Sequence, residues 1–175
     1  QVSAFDLVVF GGTGDLAARK LLPAMFQRDR AGQLPDAGRI IGISRRPLGD
    51  EGYLDFVRTS LRDHVKAADL EPEALARFLA RIHFLPVDVT GESGWAELAA
   101  LLASGADHVR AFYFAVSPDL FAPISQRIKQ FGLVTPQSRV VVEKPLGKDG
   151  KSAHEVNAAV ACVFEENQVF RIDHY

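Results

Sequence analysis

The chain alternates short apolar runs with longer stretches in which apolar residues recur at helical spacing. Short, nearly continuous apolar runs are typical of strands that are buried on both faces of a parallel sheet. The pattern therefore predicts an α/β fold with a doubly wound, mainly parallel six-stranded sheet. The predicted strands span Phe5–Phe10, Arg39–Ser44, His83–Val89, Val109–Val116, Val140–Glu143 and Val169–Ile172.

Helical segments are predicted between these strands. Pro23 lies inside the first of them, and its missing N–H group predicts a kink or a shortened helix. The later helices are predicted to begin at Asp50, at Glu71, near Trp95, near Pro118 and near Ser152. No linker or repeat interrupts the order, so residues 1–175 are expected to form one domain.

The first strand is followed by a glycine-rich turn that leads into a helix. The turn reads Gly11-Gly12-Thr13-Gly14-Asp15-Leu16. Glycines at this place let the backbone approach a pyrophosphate at the helix N-terminus. The spacing departs from G-x-G-x-x-G, and the strand–turn–helix context is what favours a Rossmann-like, NAD(P)-binding fold over a purely structural turn.

The end of the second strand indicates which coenzyme is bound. An acidic residue there would hold the ribose hydroxyls of NAD, but this strand ends in Ser44-Arg45-Arg46. Arginine is always charged and suits a 2′-phosphate, so NADP is predicted in preference to a solvated basic pair. Arg45, nearest the strand, is the predicted ligand, and Arg46 is predicted either to stack on the adenine or to make no contact.

Other strand ends carry further candidate residues. Asp88 and Val89 end the third strand, where the adenosine is expected to lie. Ser117 follows the fourth strand, where a nicotinamide ring can approach closely. The fifth strand ends in Glu143-Lys144-Pro145, and Lys144 is a candidate donor to a substrate hydroxyl or to the nicotinamide carboxamide, the alternative being a surface loop.

The sixth predicted strand delivers a polar cluster, Asp173-His174-Tyr175, to its carboxyl end. In open α/β sheets the ligand lies outside the carboxyl ends of the strands, so this is the expected position of a substrate. The chain stops within this cluster and begins with Gln1 rather than Met. We therefore expect it to be part of a longer protein.

Composition narrows the choice of partners and location. A net charge of -2 gives no reason to expect nucleic acid or an anionic membrane as a partner. No stretch approaches the roughly 18 apolar residues of a membrane span. The single cysteine, Cys162, permits no internal disulfide, which suits a reducing compartment, and a cytoplasmic location is expected. The histidines lack metal-ligand spacing, so no metal site is predicted.

Three separated motifs together resemble one known family. The opening turn through Ala17, followed by Lys20, is similar to the family's fingerprint, and Glu143–Gly147 is similar to its central motif. Arg171–Tyr175 is similar to the first part of its signature, which continues in the family with Leu-Gly-Lys. Over almost all of its length, the chain resembles the N-terminal coenzyme domain of glucose-6-phosphate dehydrogenase.

This resemblance implies an activity and residue roles. It implies oxidation of β-D-glucose 6-phosphate to 6-phosphogluconolactone, with hydride transfer to NADP, at the entry to the oxidative pentose phosphate pathway. Lys144 would contact both substrate and nicotinamide, with a candidate cis bond to Pro145. His174 and Tyr175 would hold the sugar phosphate. Asp173 would orient a catalytic histidine that lies further along a homo-oligomeric parent chain, outside this sequence together with a second domain.

Two other interpretations remain open at this point. The sugar oxidoreductases of the inositol dehydrogenase and glucose–fructose oxidoreductase group share the Glu-Lys-Pro motif and the use of NADP. They do not account for the Gly-Asp-Leu-Ala opening or the Asp-His-Tyr ending. Alternatively, the isolated chain is a nucleotide-binding module without catalytic activity.

Overall fold

A computed structural model describes residues 4–144, 158, 160, 161 and 163–173, with the side chains of all of these except 143, 144 and 171–173. Six strands form one sheet: β1 (Phe5–Phe10), β2 (Arg39–Ser44), β3 (Ile82–Pro86), β4 (Val109–Phe114), β5 (Arg139–Lys144) and β6 (Val169–Asp173). They lie in the order β3-β2-β1-β4-β5-β6, and every neighbouring pair is parallel. The predicted doubly wound sheet is confirmed, and its order reverses between β1 and β4.

Helices connect the strands and cover both faces of the sheet. Within the described residues the α-helices are α1 (Leu22–Arg30), α2 (Gly49–His64), α3 (Pro72–Leu79), α4 (Trp95–Ala103) and α5 (Phe121–Gln130). Short 3-10 turns span Ala67–Asp69, Pro118–Leu120 and Glu166–Gln168. Most of the helix predicted from Ser152 lies outside the described residues, although residues 158, 160 and 161 are helical. None of the described helices is long and apolar enough to cross a membrane.

Alternate side chains of the strands enter two separate cores. Val8 and Phe10 face the core that α4 and α5 cover, whereas Leu7 and Val9 face the core that α1, α2 and α3 cover. Because a central strand is buried on both faces, its residues are apolar without alternation. This burial explains why the apolar runs predict the central strands so well.

Two strands end earlier than predicted. β3 ends at Pro86 rather than at Val89, because the chain turns after Val87, whose amide donates to the Ser44 carbonyl oxygen at 2.9 Å. β4 ends at Phe114 rather than at Val116. In both places apolar residues continue past the last paired residue, so an apolar run alone overestimates the strand.

Pro23 closely follows a π-helical turn in the first helical segment. A π-helical turn, Ala17–Leu21, precedes α1, and Pro23 occupies the first turn of α1. The amide of Leu22 donates to the carbonyl oxygen of Ala17, five residues earlier. The wider turn accommodates the proline ring, which would otherwise collide with the carbonyl group four residues before it. The effect of Pro23 on the helix is therefore seen as a π-turn, and the kink itself stays a prediction.

Candidate functional site

The glycine turn, residues 11–14, lies at the carboxyl end of the sheet, at the point where the strand order reverses. The amides of Gly11 and Gly12 donate to the Ile43 carbonyl oxygen at 3.2 and 2.9 Å. A Cβ atom on Gly11 would lie 2.3 Å from the carbonyl oxygen of Ala115, and the φ of Gly11 is +82°. Both the close approach and the backbone angle require glycine here.

Tyr53 of α2 holds the second glycine of the turn. Its hydroxyl donates a 2.9 Å hydrogen bond to the carbonyl oxygen of Gly12. Its ring lies against Gly42, since a Cβ atom there would be 2.3 Å from Tyr53 Cζ. Burial raises the pKa of Tyr53, so the hydroxyl remains protonated and can donate. Sequence reasoning missed Tyr53, and the one available signal was Gly42, a glycine inside an apolar strand.

The turn leads directly into the start of a helix. The amide of Gly14 donates to the Gly11 carbonyl oxygen at 3.0 Å, and the amide of Ala18 donates to the Gly14 carbonyl oxygen at 3.1 Å. The first amides of a helix, here those of Asp15 and Leu16, have no acceptor within the helix itself. Together with the helix dipole, they make this end of the helix suitable for an anionic group.

The side chains of Asp15 and Leu16 make contacts elsewhere in the fold, unlike their backbone amides at the helix start. Asp15 is exposed and pairs with Arg19 at 3.0 Å, one helical turn further on. Leu16 is partly buried and packs against the core beneath α1, α2 and α3. A contact of Leu16 with a coenzyme would therefore be made by its backbone.

A pair of hydroxyl groups joins the glycine turn to the loop that follows β2. Thr13 Oγ1 donates to Ser44 Oγ at 3.1 Å, and the backbone amide of Arg46 donates to the same oxygen at 3.2 Å. Both Arg45 and Arg46 are exposed at this edge of the sheet. Sequence reasoning did not single out Ser44, because a serine before two arginines carries no signal until its partner is known.

Asp88 and Val89 follow β3 beside this loop. The Asp88 carboxylate accepts hydrogen bonds from the amide and hydroxyl of Thr90 at 3.1 and 3.0 Å. These bonds, and further the positive charge of Arg45, hold the pKa of Asp88 below its ordinary value. The side chain of Val89 is buried in the core, so it does not face the strand ends.

Ser117 lies on the opposite side of the glycine turn, after β4. Its hydroxyl donates to the carboxylate of Asp119 at the start of the 3-10 turn. The neighbouring Val116 crowds the turn, because a Cβ atom on Gly11 would lie 2.9 Å from Val116 Cγ1. Gly11 and Ser117 are therefore close to the same strand end.

The central and terminal motifs meet at the ends of β5 and β6. Lys144 and Asp173 are directly paired in the parallel register of these two strands. Their side chains lie outside the described part of the structure, as do His174 and Tyr175 entirely. Two motifs that are far apart in sequence therefore end at adjacent positions on the carboxyl edge of the sheet.

These groups fit a phosphorylated dinucleotide. At Gly14 a Cβ atom would meet the Gly11 carbonyl oxygen at 3.2 Å and otherwise only the Ala115 oxygen, at 4.0 Å, so the backbone is open for close approach. Helix-start amides suit the pyrophosphate, and the exposed guanidinium of Arg45 suits a further phosphate. Within the described residues, no group of three or more metal-ligating side chains was found.

The reversed strand order, the glycine turn and the helix start define a dinucleotide-binding domain of the Rossmann type. The sequence matches the family described as glucose-6-phosphate dehydrogenase, NAD binding domain, over residues 8–175. The chain belongs to this family, as its motifs predicted, and the inositol dehydrogenase alternative is not favoured.

Individual relatives agree with the family match. The chain is 47% identical over 174 residues to glucose-6-phosphate 1-dehydrogenase of Rhizobium meliloti, covering 99% of this chain and 35% of the relative. It is 51% identical over 178 residues to the protein of the same name from Mycolicibacterium smegmatis, covering 99% of this chain and 36% of that relative. A solved structure of glucose-6-phosphate dehydrogenase in complex with its substrate glucose-6-phosphate superposes on this chain with a TM-score of 0.87 at 29% identity. The match covers 100% of this chain and 38% of the solved one. The chain thus spans about a third of the length of these relatives.

Proposed function

We propose that the chain is the NADP-binding domain of a longer NADP-dependent dehydrogenase that oxidises D-glucose 6-phosphate to 6-phosphogluconolactone. The observation that carries this proposal is the glycine turn, held at the strand-order reversal between Ile43 and Ala115, together with the membership of the family. A relative solved with glucose-6-phosphate supports the choice of substrate. NADP would supply the hydride acceptor.

The coenzyme would lie across the carboxyl edge of the sheet. Gly11, Gly12, Gly14 and the helix-start amides of Asp15 and Leu16 would accommodate the pyrophosphate, and Thr13 with Arg45 would face the 2′-phosphate. Arg46, Asp88 and the backbone of Val89 would border the adenosine on one side, and Ser117 would border the nicotinamide on the other. The exposure of Arg45 and its electrostatic effect on Asp88 support this arrangement.

The substrate would lie beyond β5 and β6. Lys144 would bind both the sugar and the nicotinamide, and His174 and Tyr175 would bind the sugar phosphate. Asp173 would orient a histidine in the longer protein, which takes the proton of the anomeric hydroxyl as hydride leaves the anomeric carbon. The register pairing of Lys144 with Asp173 supports this assignment, because it brings both motifs to one place.

The remaining parts of the proposal concern the whole protein. Residues 1–175 would form the coenzyme domain, and a second domain would supply the base and the other wall of the substrate pocket. We further propose a homo-oligomeric, cytoplasmic enzyme without nucleic acid, membrane or metal partners.

Comparing the isolated chain with the longer protein tests the proposal. Calorimetry with NADP should show weak binding to the 175-residue chain. Nicotinamide absorbance should show no turnover of glucose 6-phosphate by this chain and robust turnover by the longer protein. Turnover by the chain alone would overturn the two-domain assignment, and absence of turnover by the longer protein would overturn the activity.

A further inference from the structure

The hydroxyl of Ser44 has a hydrogen-bonding capacity that the described part of the chain does not use. A serine hydroxyl provides two acceptor lone pairs and one proton. Thr13 Oγ1 and the amide of Arg46 occupy the two acceptor positions of Ser44 Oγ, at 3.1 and 3.2 Å. Among the described residues, no acceptor receives the proton of Ser44.

Ser44 lies at the edge of the proposed coenzyme site, because its hydroxyl contacts Thr13 of the glycine turn. Ser44 is the last residue of β2, and its carbonyl oxygen is held by the amide of Val87 at 2.9 Å. The backbone of Ser44 is therefore fixed by the sheet, while its side chain contacts the glycine turn. The next residue in the chain is the exposed Arg45. A hydroxyl donor on a fixed backbone, next in sequence to an exposed arginine, is suited to an anionic oxygen.

We propose that Ser44 is a specificity-determining residue that favours NADP over NAD, an inference that rests on the proposed coenzyme function. The Ser44 hydroxyl donates its free proton to the 2′-phosphate, and its two accepted bonds hold Thr13 and the Arg45–Arg46 loop beside that phosphate. NAD has a ribose hydroxyl in place of the phosphate and gains no charge-assisted bond from Ser44. The contribution of Ser44 is therefore selective for the phosphorylated coenzyme.

Ser44→Ala in the longer protein tests this inference. Loss of one hydrogen bond to a charged group should raise the dissociation constant of NADP by about tenfold or more, whereas that of NAD should change less than about twofold. Ser44→Thr retains the hydroxyl and should restore most of the preference. Ser104→Ala is the matched control, since Ser104 Oγ also accepts a bond from an arginine, Arg39 at 2.8 Å, but lies at the opposite end of the sheet.

A double-mutant cycle with Thr13→Val separates the direct contact from a structural role. If the two hydroxyls act on one phosphate, their effects on NADP affinity should be non-additive, and the cycle should show no such coupling for NAD. Equal weakening of NADP and NAD binding by Ser44→Ala, or an unchanged affinity for both, would overturn the inference.

Arg45→Ala distinguishes failure of this inference from failure of the proposed function. If Arg45→Ala abolishes the preference for NADP while Ser44→Ala leaves it unchanged, the coenzyme site stands and the role of Ser44 is wrong. If the unsubstituted protein binds neither coenzyme, both proposals are wrong.

Discussion

The hydroxyl of Tyr53 donates a 2.9 Å hydrogen bond to the carbonyl oxygen of Gly12 from within the core. This bond joins α2 to the turn that approaches the proposed pyrophosphate. The same ring covers Gly42, so one side chain fixes both the turn and the strand beside it. The geometry of the turn therefore depends on a residue 41 positions away in the chain.

Tyr53→Phe removes this bond and leaves the ring in place. Because the buried Gly12 oxygen loses its partner, we expect the free energy of unfolding to fall by about 1–3 kcal/mol. NADP and NAD should lose affinity to the same extent, since the pyrophosphate is common to both. Urea unfolding and titration with each coenzyme measure these effects. A selective loss of NADP affinity would contradict this role.

Arg45→Ala in the longer protein should weaken NADP binding much more than NAD binding. A charge-assisted hydrogen bond is worth about 1.5–3 kcal/mol, which is roughly a ten- to 150-fold change in affinity. Arg46→Ala is the matched control, because both arginines are exposed in the same loop. Equal losses for the two coenzymes in Arg45→Ala, or a larger selective loss in Arg46→Ala, would show that the ligand is misassigned.

Asp173→Asn and His174→Ala should affect different kinetic constants of the longer protein. The neutral amide supports an imidazolium poorly, so Asp173→Asn should lower kcat far more than it weakens substrate binding. His174→Ala removes the proposed phosphate contact and should chiefly raise KM for glucose 6-phosphate. Steady-state kinetics distinguish the two, and the reverse pattern would exchange the proposed roles.

Asp6 stabilises the end of the sheet opposite the proposed site. Its buried carboxylate binds Arg39 through two 2.7 Å bonds and lies 3.0 Å from Nδ1 of His108. Asp6→Asn leaves the guanidinium without its counter-charge, and we expect a loss of about 3–5 kcal/mol in the free energy of unfolding. Asp55→Asn breaks an exposed pair of equal length, 2.7 Å to Arg58, and should cost less than about 1 kcal/mol. Similar losses of unfolding free energy in the two variants would show that burial does not strengthen the Asp6–Arg39 pair.

His83 should make the fold less stable in mild acid. Burial, and then the positive charge of Arg39, lowers the pKa of His83 in the folded chain. Above the ordinary histidine pKa of about 6.5, His83 is neutral in both the folded and the unfolded chain. Below this pH the unfolded chain binds a proton before the folded chain does. The free energy of unfolding therefore decreases as the pH is lowered. His83→Gln should flatten this dependence in urea unfolding between about pH 7.5 and pH 5.5, a range that brackets this pKa. The exposed His64 provides the control, and an equal flattening in His64→Gln would exclude a specific role for His83.

Local patterns in the sequence were sufficient to predict the six strands, their parallel arrangement and the glycine turn. β1 and β2 have the predicted bounds, because central strands are buried on both faces and are apolar without interruption. The family was also predicted, since each motif is a run of neighbouring residues. The roles of the individual site residues remain predictions.

The tertiary structure alone decided which distant side chains meet. Tyr53 reaches Gly12, and Ser44 reaches Thr13, only because α2 and β2 pack beside the glycine turn. Neither tyrosine nor serine has a local pattern that names its partner. The π-turn before Pro23 and the early end of β3 were likewise decided by backbone hydrogen bonds. Apolar periodicity reports burial, whereas a hydrogen bond between distant residues depends on how the elements are placed in space.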